Sequence, residues 1–390
     1  MHRASGPGHQ SGHYTDGDPV AGVPPTTVIA DDMDSIQEEI CAVIEGAGIT
    51  LDPGNDAQLR SAILQMVGAN IQQALKNAVT NADFEVWQRG SSFPVNTTPQ
   101  YTADRWKYVA AGGWTGSATV SRQGFSPGQT DVPGNPHYYY RINNSGGMTG
   151  GTNPYWGVLQ KCECVCLFAG QQVVYSFWAK ANKNAIAKVS YEQNFGTGGS
   201  SSVVQTPVNI NLTTAWQRFF VTAMLPSISG KTISGGDDWV GFTLACFDTT
   251  GVILDVANVQ FELGAAPTGF ELVPLPVTLG RCYRFYEKSY AMATAPGTVT
   301  TVGCLSGTDS NGAALNTVHQ RFRAEKRATP TILWWSPDSG ASGQIYYNGA
   351  DRAITGTNYT SSSATGVPVT AHNPGAPQGA LVHWTADAEL

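Results

Sequence analysis

From Asp32 onward the apolar positions of this chain fall three and four residues apart, at Met33, Ile36, Ile40, Val43, Ile44 and Ala47. That spacing lays one stripe along a helix. Asp34 or Asp32 can cap its amino end, and Gly46 and Gly48 can close it. Asp52-Pro53-Gly54-Asn55 reads as a turn, after which Asn55 or Asp56 caps a second helix reaching about Val79. Along it, Leu64, Val67, Ile71, Ala74 and Ala78 follow the alternating three-and-four spacing of a coiled-coil seam. Over residues 57–79 such a helix would span about 35 Å at ~1.5 Å per residue. So short a seam fits either an oligomeric stalk or a hairpin packed on itself. Leu64 at a with Val67 at d does not favour dimers, which supports three strands.

After Asn81 the period switches to two. NADFEVWQRG, YTADRWKYVA, YYYRIN, QQVVYSFWAKA, IAKVSYEQ, WQRFFVTAML, WVGFTLACF and ILDVANVQFELG read as strands separated by Gly, Pro, Asn and Ser turns. In WQRFFVTAML, Phe219, Val221, Ala223 and Leu225 share the expected inner face. Strands of this number and spacing suit a two-sheet jelly roll. PLPVTLGRCYRFYEKSY predicts a short helix after Pro276, and the last hundred or so residues form a second β-region ending in HWTADAEL. Pro7, Pro19, Pro24 and Pro25 block helix near the start. The reading is an extended arm (1–30), a helical attachment or stalk segment (31–80), a jelly roll (81–272), a linker helix (273–290) and a C-terminal β tip (291–390). The expected fold class is mainly β with an N-terminal α-helical segment: a jelly-roll β-sandwich plus a second small C-terminal β-domain, in a fibrous homotrimer.

Composition agrees. Only 13% of the 390 residues are charged, against 44 glycines and 10% aromatics, a mixture that fits sandwiches closed by tight turns. The net charge of -7 is dispersed and no Lys/Arg stripe occurs, which argues against nucleic acid as a partner. No run approaches the roughly 20 apolar residues of a membrane span, and the polar amino terminus lacks the apolar core of a signal peptide. Synthesis and folding in a cytosol are expected, and seven cysteines, an odd count, argue against a disulfide framework.

Motifs for catalysis are sparse. There is no Walker A loop, no His-Glu-x-x-His and no Gly-x-Ser-x-Gly. The Gly-rich run 196–201 follows a strand and leads into a polar loop, where a phosphate cradle would need a helix terminus. Asp237-Asp238 and the pair Asp387/Glu389 are poor candidates for the separated acids of glycoside hydrolysis. Cys162, Cys164 and Cys166 alternate, so a continuous strand would hold them on one face about 6.6 Å apart. That is the outer limit for a disulfide, and buried thiols filling a sheet face are the simpler reading. His2, His9 and His13 lie in the arm, where a solvated tail or a bundled metal site would account for them. In the last region Trp334, Trp335, Tyr346, Tyr347, Tyr359 and Trp384 are interleaved with Ser, Asn, Gly and Thr. This mixture suits sugars, whose C–H faces stack on rings and whose hydroxyls meet amides. Alternation sends one of each adjacent pair outward, to meet either a glycan or a neighbouring protomer.

IADDMDSIQEEICAVIEGAGITLDPGNDAQLRSAI resembles the amino-terminal segment of many bacteriophage tail fibres. NADFEVWQRGSSF, YTADRW, YSFWAKAN, WQRFFVTAMLPSI and DVANVQFELG resemble the galactose-binding-like jelly roll that follows it in such fibres. RCYRFYEKSY and HWTADAEL resemble their connector and end. The likeness covers residues 30–290 and returns at the terminus, while 295–380 matches nothing recognised. It implies a homotrimer in the virion tail, assembled in the host cytoplasm. The amino-terminal part would hold other tail or baseplate proteins, and distal β-domains would adhere without catalysis to a host-surface glycan or outer-envelope protein. A purely structural tail component and, less well, a glycan depolymerase spike are the alternatives. Jelly rolls of this kind often carry a structural calcium, for which Asp83, Glu85 and Asp255 stand at the matching places. Asp255 lies among Ile253, Val256 and Val259, so its carboxylate needs a cation or several donors. A salt bridge to Arg105 or Arg89, or backbone hydrogen bonds, would serve equally.

Overall fold

The computed structural model describes residues 3–63, 76–308, 316–347, 349–353, 363–371 and 379–390. The seam positions Leu64, Val67, Ile71 and Ala74, with His2 and Tyr359, lie outside them. Contacts divide the chain into two units, Met1–Leu75 and Lys76–Leu390.

In the first unit, residues 3–29 turn back on themselves rather than extend. Thr27 N–H donates to the Pro7 carbonyl (2.8 Å) and Thr26 N–H to that of Thr15 (2.9 Å), while Asp18 and Val23 exchange two bonds. Gly17 permits the reversal, since its φ of +75° and its contact with the Val23 carbonyl leave no room for a Cβ. Helix α1 (Ala30–Gly46) begins ahead of the predicted caps, with Ile29 at the N-cap. Asp32, read as a cap, instead accepts from the backbone N–H and the hydroxyl of Ser5 (3.2 and 3.3 Å) and so ties the arm to the helix. Gly48, at φ +76°, ends it as predicted. A second helical run covers residues 58–63, opened by Asn55 Oδ1 accepting from Ala57 N–H (3.0 Å).

The second unit opens with a sandwich. Its strands are β1 (Ser92–Val95), β2 (Gln100–Tyr101), β3 (Trp106–Ala111), β4 (Ala118–Gly124), β5 (Tyr138–Asn144), β6 (Tyr155–Glu163), β7 (Gln172–Ala181), β8 (Ala185–Asn194), β9 (Val203–Val204), β10 (Val208–Leu212), β11 (Gln217–Met224), β12 (Trp239–Cys246) and β13 (Val252–Leu263). Sheet I runs β1-β4-β5-β13-β7-β11 and sheet II runs β10-β8-β12-β6-β3-β2, with β9 on β8. From β5 to β8 and again from β10 to β13 each strand lies in the opposite sheet to its predecessor. This alternation makes the unit a jelly roll. Inward residues of both sheets interdigitate: Tyr175 of β7 stacks on Phe242 of β12 (centroids 3.8 Å apart), and Phe242 meets Phe261 of β13 at 5.6 Å. Val221 and Leu225 are buried and Phe219 and Ala223 pack on the same core, as the alternation around β11 predicts.

Two predicted elements differ. Residues 76–79 are not helical, and Ala78 is no seam residue, because its N–H donates to the Phe261 carbonyl (2.9 Å). NADFEVWQRG is not a strand either. Asn81 and Phe84 both adopt φ of +59°, which breaks any ladder. Side chains replace the lost backbone bonds. Asn81 Nδ2 donates to the carbonyls of Val86 (2.8 Å) and Asp104 (3.0 Å), and its Oδ1 accepts from Val86 N–H (2.9 Å). Asn77 Nδ2 donates to the Val259 carbonyl (2.9 Å) and its Oδ1 accepts from Phe261 N–H (3.0 Å). Asn77 thereby fills a bulge in β13, whose register shifts between Ala257 and Gln260. Buried Phe84 and Trp87 complete this plug.

After Pro274, helix α2 (Leu275–Tyr283) is the expected linker helix, but it starts ahead of Pro276 and is shorter than 273–290, because residues 286–288 form a strand. Then follow β14 (Tyr286–Lys288), β15 (Leu305–Thr308), β16 (Asn316–Arg321), β17 (Thr331–Trp335), β18 (Gln344–Tyr347), β19 (Ala350–Ala353), β20 (Gly366–Ala371) and β21 (Gly379–Asp387). β21 pairs with β14, β15, β17 and β18. Its inward residues Ala380, Val382, Trp384 and Ala386 join Phe322, Trp334 and Ile345 in a second, smaller core.

Charged groups lock this sheet to the jelly roll. Arg89 bonds Asp387 (3.0 Å) and Glu389 (3.4 Å), lies 3.6 Å from Asp104, and stacks 3.7 Å from the ring centroid of Tyr286. Arg105 pairs with Glu389, both almost fully buried, and lies over Phe285 at 3.4 Å. Arg284 grips Glu163 with two bonds (2.8 and 2.7 Å). Arg327 reaches the carbonyls of Ala388 (3.1 Å) and Gly236 (3.0 Å). Asp387 and Glu389 are thus structural anchors.

Candidate functional site

The aromatic candidates of the last region are distributed unevenly. Trp334 and Trp384 face each other across β17 and β21, are 4% and 2% exposed, and belong to the second core. Burial takes both out of a glycan's reach. Trp335 is half-buried and packs over Gly297. Tyr346 and Tyr347 are half-buried, with Tyr347 turned to the core.

The calcium candidates are not gathered into a ligand set, and among the described residues no group of three His, Cys, Asp or Glu is placed to hold a metal. Asp255 is committed to Arg141, neighbouring it across β13 and β5, through two bonds of 2.7 and 2.8 Å. This is the salt-bridge alternative, with a partner other than Arg105 or Arg89. Glu85 pairs with His137 at 2.7 Å. Asp83 is buried with no partner at one oxygen. Burial, then the nearby charge of Glu85, raises its carboxyl to about 6.

Cysteine placement also departs from alternation. β6 ends at Glu163, and Cys164 turns into φ +73°, so Cys162 stays in the core while Cys164 and Cys166 come to a Cα separation of 5.2 Å and form a disulfide. Buried Cys162 and Cys246 have their thiols pushed up to about 12 and about 11 by desolvation, which makes them inert fillers.

A concave site lies instead on the outer face of sheet II. Alternation in β8 sends Ala185, Ala187, Val189 and Tyr191 inward and leaves Ile186 and Lys188 outside. In β10, Ile210 and Leu212 are buried while Asn209 and Asn211 are exposed. Register then sets Asn209 beside Lys188 and Asn211 beside Ile186. On the other side of β8, Lys188 neighbours Ala245, and Ala245 neighbours Gly157. Small residues at the centre keep the floor low beneath the longer side chains of β8 and β10.

The result is a groove of about 800 Å³ lined by Ile186, Lys188, Asn209, Asn211, Phe247 and Asp248, with Asn184 and Thr213 at its end. Phe247 is half-buried and braced against Tyr155, their centroids 5.3 Å apart. Lys188 Nζ lies over its ring at 4.4 Å. Burial pushes the Asp248 carboxyl up, but bonds from the Thr250 N–H (2.7 Å) and hydroxyl (2.6 Å) and the charge of Lys183 at 3.6 Å outweigh it and hold the group below its ordinary range. Among the described residues the amides of Asn184, Asn209 and Asn211 have no protein partner. A ring face, flanking amides and a volume in the range of small-ligand sites make a cleft able to hold a polar molecule that has an apolar side. The alternating VNINL and AIAKVSYEQ already set these side chains on one face, but the register joining them is not written in either segment.

No protein-family profile matches the sequence, and no curated protein matches it. Solved structures similar to part of the chain include the enzymatically active domain of tailspike protein 4 of bacteriophage CBA120, at 15% identity over 48% of this chain and 22% of that one, with a TM-score of 0.29. The chain therefore spans about a fifth of that tailspike domain. CBM4 is similar at 16% identity over 48% of this chain and 99% of that one, TM-score 0.30. The family 11 carbohydrate-binding module from Clostridium thermocellum, in complex with a mixed-linked tetrasaccharide, is similar at 14% identity over 46% and 99%, TM-score 0.26.

Proposed function

We propose that this chain is a non-catalytic adhesin that binds a surface glycan through the outer groove of sheet II, working as a homotrimeric fibre of a bacteriophage tail. The groove itself carries the reading: uncommitted amides at Asn209 and Asn211 flank the braced ring of Phe247 in a cleft of sugar size. Its one carboxylate, Asp248, is held ionised by Thr250 and Lys183, which leaves no second acid for glycoside cleavage there. The sequence likeness to tail fibres supports the placement in a virion, with tail or baseplate proteins held by the amino-terminal segment and the terminal aromatics serving the second core. Such a site binds each sugar weakly, and three linked copies would raise apparent affinity by about 10²–10⁴.

Binding to an array of bacterial envelope glycans tests this. Phe247→Ala and Asn209→Ala/Asn211→Ala are expected to lower affinity at least tenfold with an unchanged circular dichroism spectrum and no shortening of the glycan. Wild-type affinity in both variants, or no glycan retained by the intact protein, would remove the proposal.

A further inference from the structure

The cation in the groove is the one polar group there whose charge has no counterpart. Asp248, the groove's carboxylate, is answered by Lys183, which also donates to the Thr250 carbonyl at 3.1 Å. Lys188 has no such partner: among the described residues no carboxylate lies within 4 Å of its ammonium. Nor does it extend into water as a surface lysine would. It is half-buried inside the groove, lying across Phe247 at 4.4 Å. A ring face offers an ammonium only about 0.5–1 kcal/mol at exposed sites, less than a hydrogen-bonded anion offers. Its strand neighbour Asn209 and the amide of Asn211 stand beside it with unpaired N–H donors. Alternate residues of a strand are about 6.6–6.8 Å apart, so Asn209 and Asn211 reach successive groups of one chain-like ligand. A neutral sugar would use the amides and the ring and leave the ammonium unanswered. A sugar bearing an anionic group uses all of them.

Resting on the glycan-binding reading above, we infer that the groove selects an acidic saccharide, whose carboxylate or phosphate meets Lys188 while its ring lies against Phe247 and its hydroxyls meet Asn209 and Asn211. The anion draws Nζ off the aromatic face and opens that face to the sugar, so charge recognition and stacking occur together.

Calorimetry with tri-galacturonic acid and its methyl ester separates charge from shape, because the two differ only in the carboxylates. Glucose 6-phosphate against glucose supplies the phosphate source. At least one acidic ligand is expected to bind tenfold or more tighter than its neutral counterpart. That advantage should shrink as salt rises from about 20 to 500 mM, as screening requires, and Lys188→Gln should bring the ratio toward one. Equal binding of acidic and neutral ligands overturns the inference while leaving the glycan reading intact. An acidic preference that survives Lys188→Gln also overturns it. If no saccharide binds, acidic or neutral, both fall together.

Discussion

Asp83 shows how much one side chain can report. Its carboxyl is raised to about 6 by burial, whereas in the unfolded chain it titrates near 3.9. Between those values the folded state holds the proton more tightly, so this group's contribution to stability is fully present below about pH 4 and is lost as pH rises through 6. The loss amounts to about 3 kcal/mol at most. Thermal denaturation between pH 4 and 7 should show the decline, and Asp83→Asn should flatten it. An unaltered profile in the variant would assign the decline elsewhere. Arg105 and Glu389 are a second case. Breaking a buried ion pair leaves its partner uncompensated, so Glu389→Gln or Arg105→Met should each cost about 3–5 kcal/mol in denaturant unfolding. The double replacement should cost less than the two summed.

Among the elements, those set by local pattern were legible and those set by distant partners were not. β11 and α2 follow from alternation and from Pro274 and Pro276. The stretch around Phe84 has strand-like alternation too, yet Asn81 and Asn77 take over the hydrogen bonds a ladder would make, and their acceptors lie on β13 and beside Asp104. Val86 is near Asn81 in the chain, but no local window contains Asp104, Val259 or Phe261. The same limit hid the groove, because β8 was read as a strand while the short β10 was not, and the register joining them lies in neither segment. It also explains the misplaced aromatics. Trp334 and Trp384 look available in a region rich in polar residues until β17 and β21 pair and set both residues in the second core.

On the scale of the whole molecule, the amino-terminal unit bears on assembly. Met33, Ile36 and Ile40 of α1 are 55%, 39% and 39% exposed within one chain, while Ile44 is buried. Asp31, Asp34, Glu38, Glu39 and Glu45 share that helix, and no basic residue does. A trimer is the assembly proposed above, and sedimentation equilibrium at micromolar concentration should return three times the 41.3 kDa chain mass. A monomer at that concentration would remove the fibre while leaving the groove untouched.

The mooring of residues 387–389 also sets a clock on synthesis. Four partner strands wait on β21 for their edges to be closed, and Arg89 and Arg105, made some three hundred residues earlier, wait for Asp387 and Glu389. A ribosome-bound chain stalled before residue 379 would leave the strand edges open and two guanidiniums without the carboxylates they pair with in the fold. Closure of the jelly roll's charged flank therefore has to wait for residues 387–389, whatever has folded before them.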